Sequence, residues 1–155
     1  HYETTIVSRV EFLDNDTVAA FGDNMFTVYN IKQKPEISSE TKLDSVIKSI
    51  FYNEEYIGIV SKTERYEKPY NIKVYDTDGK EKMNMDTELM YTGISLQNDR
   101  MIIYNNTEMK LFSISGKERY SGTVNEGIRQ IICTDKPDRY YIINSEYNIM
   151  NVKLK

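Results

Sequence analysis

The chain has one histidine, His1, and one cysteine, Cys133. Nucleophilic catalysis needs a base within hydrogen-bond reach of its Ser or Cys, and a zinc site needs several His or Cys ligands. His1 sits at the terminus, where a remnant of a tag or cleavage site is the expected reading, and it supplies neither. Cys133 lies in the apolar run Ile131-Ile132-Cys133-Thr134, which predicts a buried, inert thiol facing the interior. Asp16 and Asp99 are the carboxylates closest to a repeated pair, and two facing carboxylates could cleave a glycosidic bond. Their recurrence at equivalent turns instead predicts that their side chains bond neighbouring backbone N–H groups. The run Asp76-Thr77-Asp78-Gly79 is no EF-hand loop, because that register needs acids where Val74 and Met85 stand. Two glycosylation sequons, at Asn15 and Asn105, are short patterns that carry no assignment. No catalytic, metal or cofactor-binding residue is assigned and no cofactor is expected. The residues that do suggest function are Arg65, Tyr66 and Tyr70, types enriched at protein interfaces, and these are assigned to partner binding.

The elements that hold these residues follow from an internal repeat. Sliding the chain by 83 residues matches Leu13–Tyr29 to Leu96–Phe112 without a gap: Leu13 with Leu96, Asp16 with Asp99, Val18 with Met101, Phe21 with Tyr104, Val28 with Leu111 and Tyr29 with Phe112. Half that offset, about 41 residues, finds an intermediate copy in Tyr56–Val60 and Ile72–Tyr75. The tail Tyr75–Glu81 recurs as Phe112–Glu118, and a fourth copy begins near Gly127. Each copy divides into strands a to d, at 6–13, 16–22, 25–32 and 36–43, then 45–53, 56–62, 70–77 and 81–88, then 89–97, 100–106, 108–115 and 117–124. The fourth, 127–155, holds only a, b and c. The four copies are read as one repeat domain spanning 1–155, with blades at about 6–43, 45–88, 89–125 and 127–155.

Strand b is apolar at consecutive positions, as in Val18-Ala19-Ala20-Phe21, Ile57-Gly58-Ile59-Val60 and Met101-Ile102-Ile103-Tyr104, so both its faces must be covered. Strand c alternates, with Phe26 and Val28, Ile72 and Val74, and Met109 and Leu111 on one side. Small antiparallel sheets stacked in series satisfy this, which predicts an all-β chain of about four β-propeller blades, a partial propeller or half-ring. Residues 1–5 are a candidate for the strand the last blade lacks. An open first blade would expose Ile6, Val7, Val10 and Phe12 and favour a homodimer through open blade faces. Tyr29, Tyr75 and Phe112 share one repeated position and are read as packing between blades, with Lys153 there in the fourth copy. The second copy carries an insertion between strands b and c, in Ser61–Tyr70, which places Arg65, Tyr66 and Tyr70 on the rim where propeller loops gather.

The phrase Val74-Tyr75-Asp76-Thr77-Asp78-Gly79-Lys80-Glu81 resembles the c–d turn of WD-repeat and quinoprotein-like propellers. There is no Trp-Asp dipeptide, and Met83 and Tyr120 stand where quinoprotein repeats carry Trp, which speaks against a bound quinone. The whole pattern is also similar to the membrane-anchored extracytoplasmic propellers of unknown function from Gram-positive anaerobes. That resemblance implies a bacterial protein outside the cytoplasm, anchored through a segment upstream of His1.

Composition narrows the partners. With 20 basic and 24 acidic side chains the net charge is −4, the wrong sign for a phosphate-backbone footprint, so no nucleic acid is expected. The apolar runs are too short to insert in a membrane. These readings converge on a non-enzymatic binding or sensory scaffold that recognises a protein or glycan through its loop rim. The alternative is a carboxylate-dependent glycosidase or lyase whose site needs blades absent from these residues.

Overall fold

A computed structural model describes residues 7–153 except 135 and 137. The described residues form fifteen strands and no helix. They fall into four antiparallel meanders: β1 (Arg9–Phe12), β2 (Thr17–Phe21), β3 (Met25–Asn30) and β4 (Glu36–Lys42); β5 (Ile47–Tyr52), β6 (Tyr56–Lys62), β7 (Tyr70–Asp76) and β8 (Glu81–Thr87); β9 (Gly93–Gln97), β10 (Arg100–Tyr104), β11 (Glu108–Ser113) and β12 (Glu118–Thr123); and β13 (Gln130–Cys133), β14 (Arg139–Ile143) and β15 (Ile149–Lys153). The first two sheets belong to one compact unit, residues 1–88, and the last two to another, 89–155. The expected closing strand at 1–5, the exposure of Ile6 and the role of His1 lie outside the described residues.

In the first unit, Leu13, Ala19, Phe21, Phe26 and Val28 of the first sheet meet Ile57, Ile59 and Tyr75 of the second. The Tyr75 ring lies 5.3 Å from that of Phe26, and burial pushes its hydroxyl up to about 12. The opposite face of the second sheet, with Val60, Ile72, Val74 and Met83, is buried too. This is the covering of strand b on both faces that its consecutive apolar residues require. Strand β3 departs from the expected alternation, since Met25, Phe26, Thr27 and Val28 are all buried. As a central strand it is covered on both faces like its neighbour, and Thr27, on the face turned away from the second sheet, is buried without an apolar side chain. In the second unit, Ile102, Tyr104, Met109 and Leu111 pack on Ile131, Tyr140 and Ile142.

The repeat holds at the level of hydrogen bonds. The carbonyls of Asp16 and Asp99 each accept the N–H of the residue that follows strand c, Ile31 and Ile114, both at 2.7 Å. Strands β4, β8 and β12 each bulge at the same point, opposite Val28/Tyr29, Val74/Tyr75 and Leu111/Phe112. The c–d turns that lead into β8 and β12 place Gly79 and Gly116 at φ 81 and 82. That left-handed backbone is open to glycine at no steric cost. The N–H groups of these glycines bond the carbonyls of Asp76 and Ser113.

One expected repeat position is displaced. Val18, Ile57 and Met101 pair with Tyr29, Tyr75 and Phe112, and in the fourth sheet Tyr140, the counterpart of Met101, pairs with Val152. Val152 packs against the core of its unit, so it fills the position expected of Lys153. Lys153 projects from the other face and lies 3.6 Å from Asp138. A one-residue difference in strand register reverses a side chain's face.

Candidate functional site

The insertion of the second sheet is the hairpin loop between β6 and β7, and a single hydroxyl organises it. Thr63 Oγ1 accepts the N–H of Arg65 at 3.1 Å and donates to the carbonyl of Lys68 at 2.5 Å, while its backbone N–H reaches the Pro69 carbonyl at 2.9 Å. A Thr that bonds its own loop in this way fixes the turn as an Asx residue would. Tyr66 at the tip is 99% exposed. Arg65 leans back to β8, its Nη1 3.0 Å from Asp86 Oδ2. Asp86 also accepts from Asn71 at 2.9 Å, and Asn71 shares its amide with Asn84. The Arg65 guanidinium is therefore engaged within the chain, which leaves Tyr66 as the fully presented member of the expected trio.

Tyr70 opens β7 and is half-buried, with the Lys48 ammonium 5.0 Å from its ring centroid. Such a cation–ring contact stabilises by about 0.5–1 kcal/mol at an exposed site, enough to bias where the lysine sits. Lys48 reaches it because β5 bulges between Ile47 and Ser49. Beside it, Val46, Ile47, Lys48 and Lys62 line an open recess of about 280 Å³. A second recess of about 160 Å³ shares Ile47 and Lys48 and continues to Arg9, Phe21 and Asp23. The structure thus brings Tyr70 and Lys48 together, ties Arg65 to Asp86, and adds Val46 and Lys62 to the same rim. Sequence reading missed Lys48 because a bulge has no signature in spacing, whereas Asp86 could have been found from the Asn71–Asp86 strand pairing.

The other candidate residues have structural roles. The first a–b turn is held by Asp14, not by the Asp16 side chain: Asp14 accepts from the Asp16 N–H at 2.7 Å and the Thr17 hydroxyl at 3.0 Å. An Asx turn bonds the backbone two residues on, so the carboxylate must come from two positions earlier than expected. Asp99 faces the Arg100 guanidinium at 3.6 Å. Asp76 accepts the N–H groups of Asp78 and Lys80 and lies 2.9 Å from Lys82. Burial alone would raise its carboxyl, but Lys82 and the two N–H donors hold it below its ordinary value. Cys133 is half-buried beside Ser95, and burial pushes its thiol up, away from the reactive thiolate. Among the described residues no group of three or more His, Cys, Asp or Glu side chains could hold a metal ion. No helix of the described residues is long and apolar enough to cross a membrane.

Known structures share this architecture. The computationally designed Ika4 protein is similar over 99% of this chain and 94% of its own, with a TM-score of 0.63 at 10% identity. Saccharomyces cerevisiae Sqt1 is similar over 97% of this chain and 46% of its own, with a TM-score of 0.60 at 15% identity. The Neurospora crassa Pan2 WD40 domain gives 0.53 at 9% identity, over 95% of this chain and 49% of that one. The chain spans about half the length of these two natural proteins. At such identities the likeness fixes the fold alone: the sheets are blades of the β-propeller type. No curated protein matches the chain. A family profile does match, over residues 1–154, and the chain belongs to the family of unknown function DUF5711.

Proposed function

We propose that this protein is a non-enzymatic binding scaffold that engages a protein or glycan through the b–c loop rim of its second blade. The observation that carries this reading is Tyr66, almost wholly exposed at the tip of a loop whose backbone Thr63 holds in one conformation. Solvating a large aromatic ring has no structural benefit, whereas Tyr at a rigid tip supplies contact area at low entropic cost. Arg65 and Tyr70 shape the ground on either side of it. The location proposed with this function, outside the cytoplasm and held by an upstream segment, rests on the sequence resemblance. Protease accessibility of the full-length protein on intact cells reads it directly.

A displayed peptide library and a glycan array, each followed by affinity measurement, test the proposal. A ligand so obtained should lose binding to the variant carrying Arg65→Ala, Tyr66→Ala and Tyr70→Ala. The variant should unfold within about 1 kcal/mol of the parent. Ligands that bind the variant unchanged, or turnover of chromogenic glycosides by the full-length protein, would reject it.

A homodimer is proposed on a separate observation. Strand register aligns Phe12, Val18, Tyr29 and Ile37 in one row across the first sheet, on the face turned away from the second, and Phe12 is 66% and Val10 55% exposed.

A further inference from the structure

We propose that the recess between Lys48 and Lys62 receives an apolar side chain from an acidic peptide segment of a partner protein, the two ammonium groups taking the carboxylates on either side of that anchor. This deepens the rim-binding reading and rests on it.

The recess has room for a single side chain. It holds about 280 Å³, at the lower edge of the roughly 300–1,000 Å³ of ordinary small-molecule sites. Its apolar lining comes from Val46 and Ile47, and Val46 is 66% exposed. An exposed β-branched residue between two lysines suits a partner that is apolar at one point and anionic beside it.

Charge decides the sign. The chain as a whole is acidic, at −4, yet the residues lining the recess include two lysines, Lys48 and Lys62, and no carboxylate, Asp23 lining only the adjoining recess. On β8, Asp86 is bonded by Arg65 and Asn71. Lys48 is drawn to the recess wall by the bulge in β5 and by the Tyr70 ring. A basic segment would set its cations against these lysines, which disfavours encounter as well as docking.

The test uses three synthetic fluorescein-labelled nine-residue pools and the intact chain, read by fluorescence anisotropy. One pool has a central Leu or Phe among Asp and Glu, the second replaces that anchor by Ser, and the third replaces the acids by Lys and Arg. The anchored acidic pool should bind, and binding should weaken by about fivefold or more on Ser replacement, in Lys48→Glu and in Lys62→Glu. Raising the salt should weaken it further. Unchanged melting temperatures show that the variants are folded. Equal binding of the basic pool, no binding of the anchored acidic pool, or indifference to both charge reversals would overturn the proposal. Ligands that the Arg65, Tyr66 and Tyr70 substitutions abolish but the lysine reversals spare would overturn it while leaving the rim-binding reading standing.

Discussion

Gly58 shows how tightly single residues are constrained in these small sheets. It pairs with Phe51 on the neighbouring strand, and a Cβ built on it would lie 2.1 Å from Phe51 Cζ. The far end of the ring occupies the space that Cβ would take, and the ring is buried. Gly93 bears the ring of Tyr104 in the same way. Gly58→Ala should therefore destabilise by about 1–3 kcal/mol, as overpacking does, measured as a fall in the urea midpoint. The loss should be smaller than additive when Phe51→Ala is combined with it, because the clash then has no partner; strictly additive effects would show that the ring is not the cause. Asp76 makes an electrostatic prediction. Its folded carboxyl is held below the ordinary value, so its contribution to stability is present at neutral pH. It is lost as pH falls below about 4, through the lowered folded value. Asp76→Asn keeps a turn acceptor but removes the charge facing Lys82, and should lower stability at pH 7 while flattening its decline in acid. An unaltered acid limb in urea titrations at pH 7 and pH 3 would contradict the assignment.

At the scale of elements, the strands were legible because burial on both faces leaves an unusual trace, consecutive apolar residues in a short segment. The strands of the second copy, read at 56–62 and 70–77, are β6 (Tyr56–Lys62) and β7 (Tyr70–Asp76). The c–d turn was legible because glycine at φ 81 is demanded by the backbone itself. What spacing could not show was register. Register decides which face a residue takes without any change in composition, which is why Val152 rather than Lys153 fills the packing position, and a bulge in β5 is why Lys48 reaches Tyr70. The candidate site was legible only as an insertion containing interface residue types. That Arg65 leans along the surface to Asp86 depends on side-chain geometry that no motif encodes. The loop's order depends on one hydroxyl, so Thr63→Val should raise amide exchange across 64–68 and weaken any ligand held by Tyr66. It should leave exchange in β6 and β7 unchanged, since the strand ladder continues below the loop. Protection at 64–68 equal to the parent's would show that packing, not Thr63, orders the loop.

At the scale of the whole molecule, the first sheet raises a question of solvation. Its inner face is sealed by the second sheet, but the row of Phe12, Val18, Tyr29 and Ile37 on the other face ends in exposed side chains on both edge strands. Apolar rows of this kind are normally covered in propeller-type folds, where every blade is flanked. Ala20 and Thr27, at the centre of the same face, are buried, so the exposed surface is confined to the sheet edges. A second copy of the chain is the occupant proposed here, and mass action makes the idea testable. Light scattering on these 155 residues should give twice the chain mass at high concentration and a dimer that dissociates on dilution. Phe12→Glu with Val10→Glu should shift the equilibrium to monomer at every concentration, with a retained β-sheet circular dichroism spectrum. A parent chain that stays monomeric throughout, or charged variants that still dimerise, would remove this face as the site of self-association. The rim of the second blade would be unaffected by that outcome, because Tyr66 and Lys62 lie on a different sheet from the Phe12 row.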